Sequence, residues 1–134
     1  MRRMLVVGAL VVLVLTACVD QEENASEFCT RNEERFATDL FDQGIETELA
    51  TNDDDREFYL ETMEDTENSF SKTMKYAEDA TKKIRNNARD VDDAYLDVIV
   101  TYGDSDSDQD DYEDDLAELE KELDELEEYC AEYV

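Results

Sequence analysis

From Met63 to Val98 an apolar residue returns at every seventh position: Met63, Phe70, Ala77, Ile84, Val91 and Val98. Tyr59, Met74, Ala88 and Tyr95 flank that row, and neither proline nor glycine occurs between Thr51 and Gly103. A heptad stripe is useful only to a helix that buries it against a partner, so the chain is constrained to an all-α fold. Thr51 or Asn52 can cap the segment, and Asp53, Asp54 and Asp55 suit the positive end of the helix dipole. The pattern predicts one central helix of about 50 residues, some 75 Å long at 1.5 Å per residue, with Asn86-Asn87 as its one soft spot.

Two shorter stretches offer it partners. Phe28, Phe36, Leu40, Phe41, Ile45 and Leu49 form a broad apolar face from about residue 24 to 50, with Asn24 or Ser26 as cap and Glu27 in capping-box position. Gly44 weakens the helical expectation near its end. From about residue 110 onward, Tyr112, Leu119, Leu126 and Tyr133 form one heptad row, and Leu116, Leu123 and Cys130 form a second.

Charge limits what such helices can do. The chain has 40 acidic and 12 basic residues, no histidine, and a formal net charge of −28. Acid-rich chains are commonly disordered, but here the apolar residues keep helical spacing. So much negative charge discourages binding to nucleic acid and favours basic partners, divalent cations or a salty medium. With no histidine, no glycine-rich phosphate loop and no metal-ligand spacing, nothing marks a catalytic site, and a non-enzyme is expected.

The N-terminus sets an address. Arg2 and Arg3 precede 14 residues, Met4 to Ala17, without a charge, and acids begin at Asp20. As a helix, 14 residues cover about 21 Å, short of the ~30 Å hydrocarbon core, whereas a basic start, a short apolar middle and small residues at the end describe a secretory signal peptide. Leu15-Thr16-Ala17-Cys18 resembles the lipobox of bacterial lipoproteins. The resemblance covers the first 18 residues and implies cleavage before Cys18, with the lipid (diacylglycerol, and palmitate-type acylation of the freed amine) on Cys18. It implies an exported protein held at the cell envelope, on the outer face of the cytoplasmic membrane or on an outer membrane where there is one. Residues 1–17 are then a signal peptide, 18–23 a lipid-anchored linker and 24–134 the helical domain. Removal of 1–17 takes away Arg2 and Arg3 and no acid, which leaves 10 cations against 40 acids, −30 over 117 residues.

With Cys18 lipidated in an oxidising compartment, Cys29 and Cys130 are expected to form a disulfide. Closing a loop of about 100 residues stabilises by up to ~4.7 kcal/mol in the chain-entropy treatment. The bond also rules out an up-down-up bundle of equal helices, which would place the two cysteines at opposite ends. Two arrangements of long antiparallel amphipathic helices satisfy it. In one, the central helix stays straight and the flanking helices meet end to end along it. In the other it folds back near residues 77–87 into a four-helix up-down bundle. The unbroken heptad favours the straight, elongated, coiled-coil-like form.

Two charged segments are candidate sites. Lys72, Lys75, Lys82, Lys83, Arg85 and Arg89 are six of the ten cations after residue 17 and fall level with Glu22, Glu23 and Glu27 and with Glu127, Glu128 and Glu132. Intramolecular charge pairing is the conservative reading, and contact with anionic lipid headgroups the sharper one. Asp104, Asp106, Asp108 and Asp115 alternate as in a calcium loop, but an EF-hand wants glycine at 109 and glutamate at 115, where Gln109 and Asp115 stand. An acidic connector with weak Ca²⁺ binding is expected, and no other cofactor. Three roles follow from these features: a lipid-anchored acidic spacer or adaptor, an inhibitor or immunity protein against a cationic toxin or wall hydrolase, and a weakly Ca²⁺-responsive module.

Overall fold

The structure, a computed structural model, describes residues 20–134. The leader, the lipobox and Cys18 lie outside the described residues. Within them the chain is all-helical and no strand occurs. Helix α1 covers residues 20–31, α2 Glu33–Phe36, α3 Asp53–Ser71, α4 Met74–Glu78, α5 Lys82–Gly103 and α6 Gln109–Cys130. Residues 20–23, assigned from sequence to a linker, are already helical.

The straight central helix is not formed. Helical hydrogen bonding stops after Ser71, resumes for the five residues of α4 and stops again before Lys82. At the first break the Thr73 hydroxyl donates to the Phe70 carbonyl at 2.6 Å while the Thr73 N–H donates to the same oxygen at 2.9 Å, and the Tyr76 N–H reaches Thr73 rather than Lys72. A hydroxyl that competes for the backbone tightens the turn from an i−4 to an i−3 pattern. At the second break Thr81 is extended, with φ −62° and ψ 152°, and precedes α5 as its N-cap residue. Asn86-Asn87 is not the breaking point: both lie inside α5.

Contacts between α3 and α5 fall in reverse chain order. A Cβ on Gly103 would lie 3.4 Å from Leu60, and the Phe70 and Tyr95 rings are 5.5 Å apart. The same reversal relates α5 to α6, from the Tyr102–Tyr112 rings at 5.4 Å to Lys83 over the Tyr129 ring at 4.4 Å. The heptad row survives the breaks because each half turns the same stripe inward. Met63, Phe70, Ala77, Ile84, Val91 and Val98 are all buried, as are Tyr112, Leu119 and Leu126 from α6.

The first stretch departs most from its expected form. No helix runs from 24 to 50; α1 ends at residue 31, α2 adds one turn, and residues 37–52 are irregular. Asn32 donates its side-chain amide to the Phe28 carbonyl and to the Thr73 hydroxyl, which anchors the end of α1 on the α3–α4 break. Gly44 then has φ +97°, a conformation that side chains rarely adopt, and a Cβ there would fall 2.9 Å from Thr66 Oγ1. That turn brings Ile45 into the core while Phe41, expected on the apolar face, is 61% exposed. Asn52 caps α3 by accepting from the Asp55 N–H at 2.8 Å, and Asp108 caps α6 by accepting from the Asp111 N–H at 2.8 Å.

Candidate functional site

Cys29 on α1 and Cys130 at the end of α6 lie at disulfide distance, with sulfurs 2.10 Å and Cα atoms 5.4 Å apart. Both are buried, among Ala25, Phe28 and Leu126 of the core. The α4–α5 turn lies at this same end. Asn24 donates to the Asp79 carbonyl, Ser26 donates to the Tyr133 carbonyl, and Lys83 lies over the Tyr129 ring. A shallow cleft of about 280 Å³ lies there, between Lys83 and Ile84 on one side and Tyr129 and Tyr133 on the other. Two chain regions 101 residues apart, and the turn at residues 79–82, are therefore locked into one end of the domain.

The cationic segment reaches that end, but its partners are not those the sequence suggested. Among the described residues there are three ion pairs: Arg31–Glu27 at 2.7 Å, Arg56–Asp53 at 3.3 Å and Arg89–Glu78 at 2.5 Å. Glu27 is taken by Arg31 of its own helix, and none of the six cations pairs with Glu22, Glu23, Glu127, Glu128 or Glu132. Arg89 instead reaches Glu78 with two nitrogens, and this fork holds the Glu78 carboxyl below its usual range. Lys75 and Lys83 lie over the rings of Tyr76 and Tyr129, which attract a cation without asking it to give up its water. Lys72 and Lys82 are exposed, and Arg85 is half-buried with its Nε unpartnered.

The acidic connector does not form a calcium loop. Residues from 109 onward belong to α6, so the second half of the required 12-residue loop is helix. Asp104 accepts from the Asp106 N–H at 2.9 Å, Asp108 serves as the α6 cap, and Asp115 accepts from the Thr101 hydroxyl. Gln109, where a calcium loop needs glycine, donates to the Thr47 carbonyl and accepts from the Leu49 N–H, so it ties the irregular segment to α6. Among the described residues no group of three or more acidic or cysteine side chains converges on one point.

Several polar residues important to the interior carried no site assignment from sequence, Asn87 being only half of the expected soft spot. Asn87 and Glu122 are buried face to face between α5 and α6. Glu67 is buried on α3, and the Asp92 carboxyl on α5 lies against it. Arg35 spans the rings of Phe70 and Tyr95 at 5.3 and 5.7 Å, and donates to the Tyr95 hydroxyl and to Asn32. Tyr95 in turn donates to Gln43, whose amide reaches the Arg35 and Thr38 carbonyls and whose own carbonyl accepts from Thr66. The signal for the first three was spacing. Glu67 falls between Met63 and Phe70, Asn87 between Ile84 and Val91, and Glu122 between Leu119 and Leu126, each three or four residues from an apolar neighbour on the buried stripe.

Comparison with protein-family models, with curated proteins and with solved structures finds no match to this chain. What fold and site define is a class: an all-helical, cysteine-closed polyanion, in which three ion pairs engage three of 40 acids among the described residues.

Proposed function

We propose that the protein is a lipid-anchored, non-enzymatic envelope lipoprotein whose helical domain acts as a spacer or adaptor and offers an acidic surface to a basic protein partner. The observation that carries this is the uncompensated charge. With so few acids paired, the outer faces of α3, α5 and α6 project a negative field that speeds association with a cationic surface. The lipobox supplies the anchor, and the closed end at Cys29–Cys130 begins 11 residues after Cys18. No helix among the described residues is long and apolar enough to cross a membrane. The reversed contact order of α3, α5 and α6 favours the up-down bundle over the rod.

The test is two-part. Metabolic labelling with a fatty-acid probe should mark the wild-type chain and leave Cys18→Ala unmarked, and crosslinking in intact cells should return a basic neighbour whose capture falls with salt. An unlabelled wild-type chain removes the anchor; salt-insensitive capture removes the electrostatic partner.

A second reading, an inhibitor or immunity protein against a cationic toxin or wall hydrolase, is favoured by two aromatic side chains left at the surface. Phe41 and Phe58 are each more than 60% exposed and lie among Asp39, Asp42, Asp54 and Glu57. Exposed rings rimmed by charge are the composition of an interface centre. Loss of hydrolase inhibition on Phe58→Ala would separate this role from that of a spacer, which the substitution leaves intact.

A further inference from the structure

Glu67 and Asp92 are acids on facing helices, and nothing in the charge pattern requires them to meet. Glu67 is 9% exposed, and the Oδ1 of Asp92 is fully buried with no N–H or hydroxyl donor within reach. The Glu67 carboxyl lies against the Asp92 carboxyl. Two carboxylates cannot both stay charged in such a contact, and a buried acceptor without a donor costs its full desolvation. A proton on Glu67 removes both difficulties, because its O–H then donates to the Asp92 carboxylate.

We propose that Glu67 and Asp92 form a proton-operated latch between α3 and α5, closed when one proton is shared and loosened when both groups are charged. The surroundings leave that proton without a substitute. From α5 the titratable neighbours are Asp92 itself and Tyr95; from α2 the nearby cation is Arg35, which is turned to Tyr95 and Asn32. The residues from the irregular segment and α3 that meet this network, Gln43 and Thr66, do not titrate. Every influence on the Glu67 carboxyl acts in one direction: burial first, then the hydrogen bond and the charge of Asp92, which together raise it from 4.5 to about 7. Phe70, one turn after Glu67 on α3, packs on Tyr95, one turn after Asp92 on α5, so loosening the latch frees the same seam that closes the helical hairpin.

The sign is opposite to that of a salt-bridged acid. Because the folded carboxyl holds its proton more tightly than the unfolded one, the contact is at full strength below about 4.5 and lost as pH climbs through about 7. General self-repulsion of a polyanion also grows with pH, so the test must be local. In the full-length protein, ¹³C titration of side-chain carboxyls should give Glu67 a midpoint near 7. A Glu67 midpoint near 4.5, its ordinary value, overturns the proposal. Amide hydrogen exchange provides the second readout. Between pH 5 and pH 8, after correction for intrinsic rates, α3 and α5 amides should lose at least about tenfold in protection in wild type. That loss should be absent in Glu67→Gln and unchanged in Glu64→Gln; an equal loss in Glu67→Gln overturns the latch.

Discussion

Asn87 on α5 donates its side-chain amide to the Glu122 carboxylate on α6 at 3.2 Å, and both residues are buried. The same nitrogen approaches the Glu122 backbone carbonyl at 3.5 Å, while Asn87 Oδ1 has no partner. This half-satisfied contact fixes the register of α5 against α6 in the most extensive helix pairing of the fold. Asn87→Ala should therefore destabilise by about 1–3 kcal/mol, because it strands a buried carboxylate. The double change Asn87→Leu with Glu122→Leu should recover most of that loss. Burial is the main influence raising the Glu122 carboxyl, followed by its hydrogen bond to Glu118 and nearby acids. A raised carboxyl contributes at low pH and loses that contribution as pH rises through it, so Glu122→Gln should gain stability over wild type at pH 8 relative to pH 5. Urea titration at the two pH values checks each statement.

The Cys29–Cys130 bond joins residues 101 apart and holds α1 to the end of α6. Apart from this bond and the Ser26–Tyr133 hydrogen bond, α1 makes its named contacts with α3 through Phe28, with α4 through Arg31 over the Tyr76 ring, and with the turn beyond α4 through Asn24, while Asn32 just past its end reaches Thr73. Replacing both cysteines by alanine should cost about 2–5 kcal/mol. The m-value should rise as well if the reduced unfolded chain expands. Urea curves of wild type with and without reductant, beside those of the double variant, measure this; superposed curves would show that the bond adds nothing.

How much of this could be read beforehand depends on whether a feature is periodic or local. The heptad rows specify which side chains are inside, and they do so whether the central segment is straight or folded, since Ala77 and Ile84 are buried on either side of the second break. The first break is tightened by a single hydroxyl, at Thr73, and at the second Thr81 is extended ahead of α5; thirteen other serines and threonines along the chain would look no different by composition. Cys29 and Cys130 were legible because two cysteines allow one pairing. The ion pairs were not, because a surface with 40 acids offers each cation many partners, and local geometry selects among them.

Gly44 is the one residue among those described whose backbone lies in the left-handed region, at φ +97°. A methyl group there meets Thr66 Oγ1 at 2.9 Å and Thr62 Cγ2 at 3.2 Å. Gly44→Ala should cost about 1–3 kcal/mol from backbone strain and crowding together. In a Thr66→Ala background the crowding is relieved and the strain is not, so the penalty should shrink without vanishing. Thermal unfolding of the four proteins closes that cycle, and a penalty unaltered by Thr66→Ala would assign it wholly to the backbone.

The folded chain gathers acids that the unfolded chain keeps apart, so salt should stabilise it. Raising ionic strength from 0.1 to 1 M shortens the Debye length from about 10 to 3 Å, below the spacing of most exposed like charges. An increase in Tm on the order of 5 °C, equivalent to about 1 kcal/mol at this chain length, is the expected outcome. The same experiment examines the acidic connector. Asp104, Asp108 and Asp115 accept hydrogen bonds from three separate donors, the Asp106 N–H, the Asp111 N–H and the Thr101 hydroxyl, and among the described residues no three acids converge on one point. CaCl₂ and MgCl₂ at equal ionic strength should therefore raise Tm by the same amount, as counterions do. A saturating response to Ca²⁺ in the micromolar range would require residues 104–115 to leave the helix and form a site. Replacing Asp115 by Asn, which keeps an acceptor for Thr101 but removes a charge, should leave the salt response unaltered.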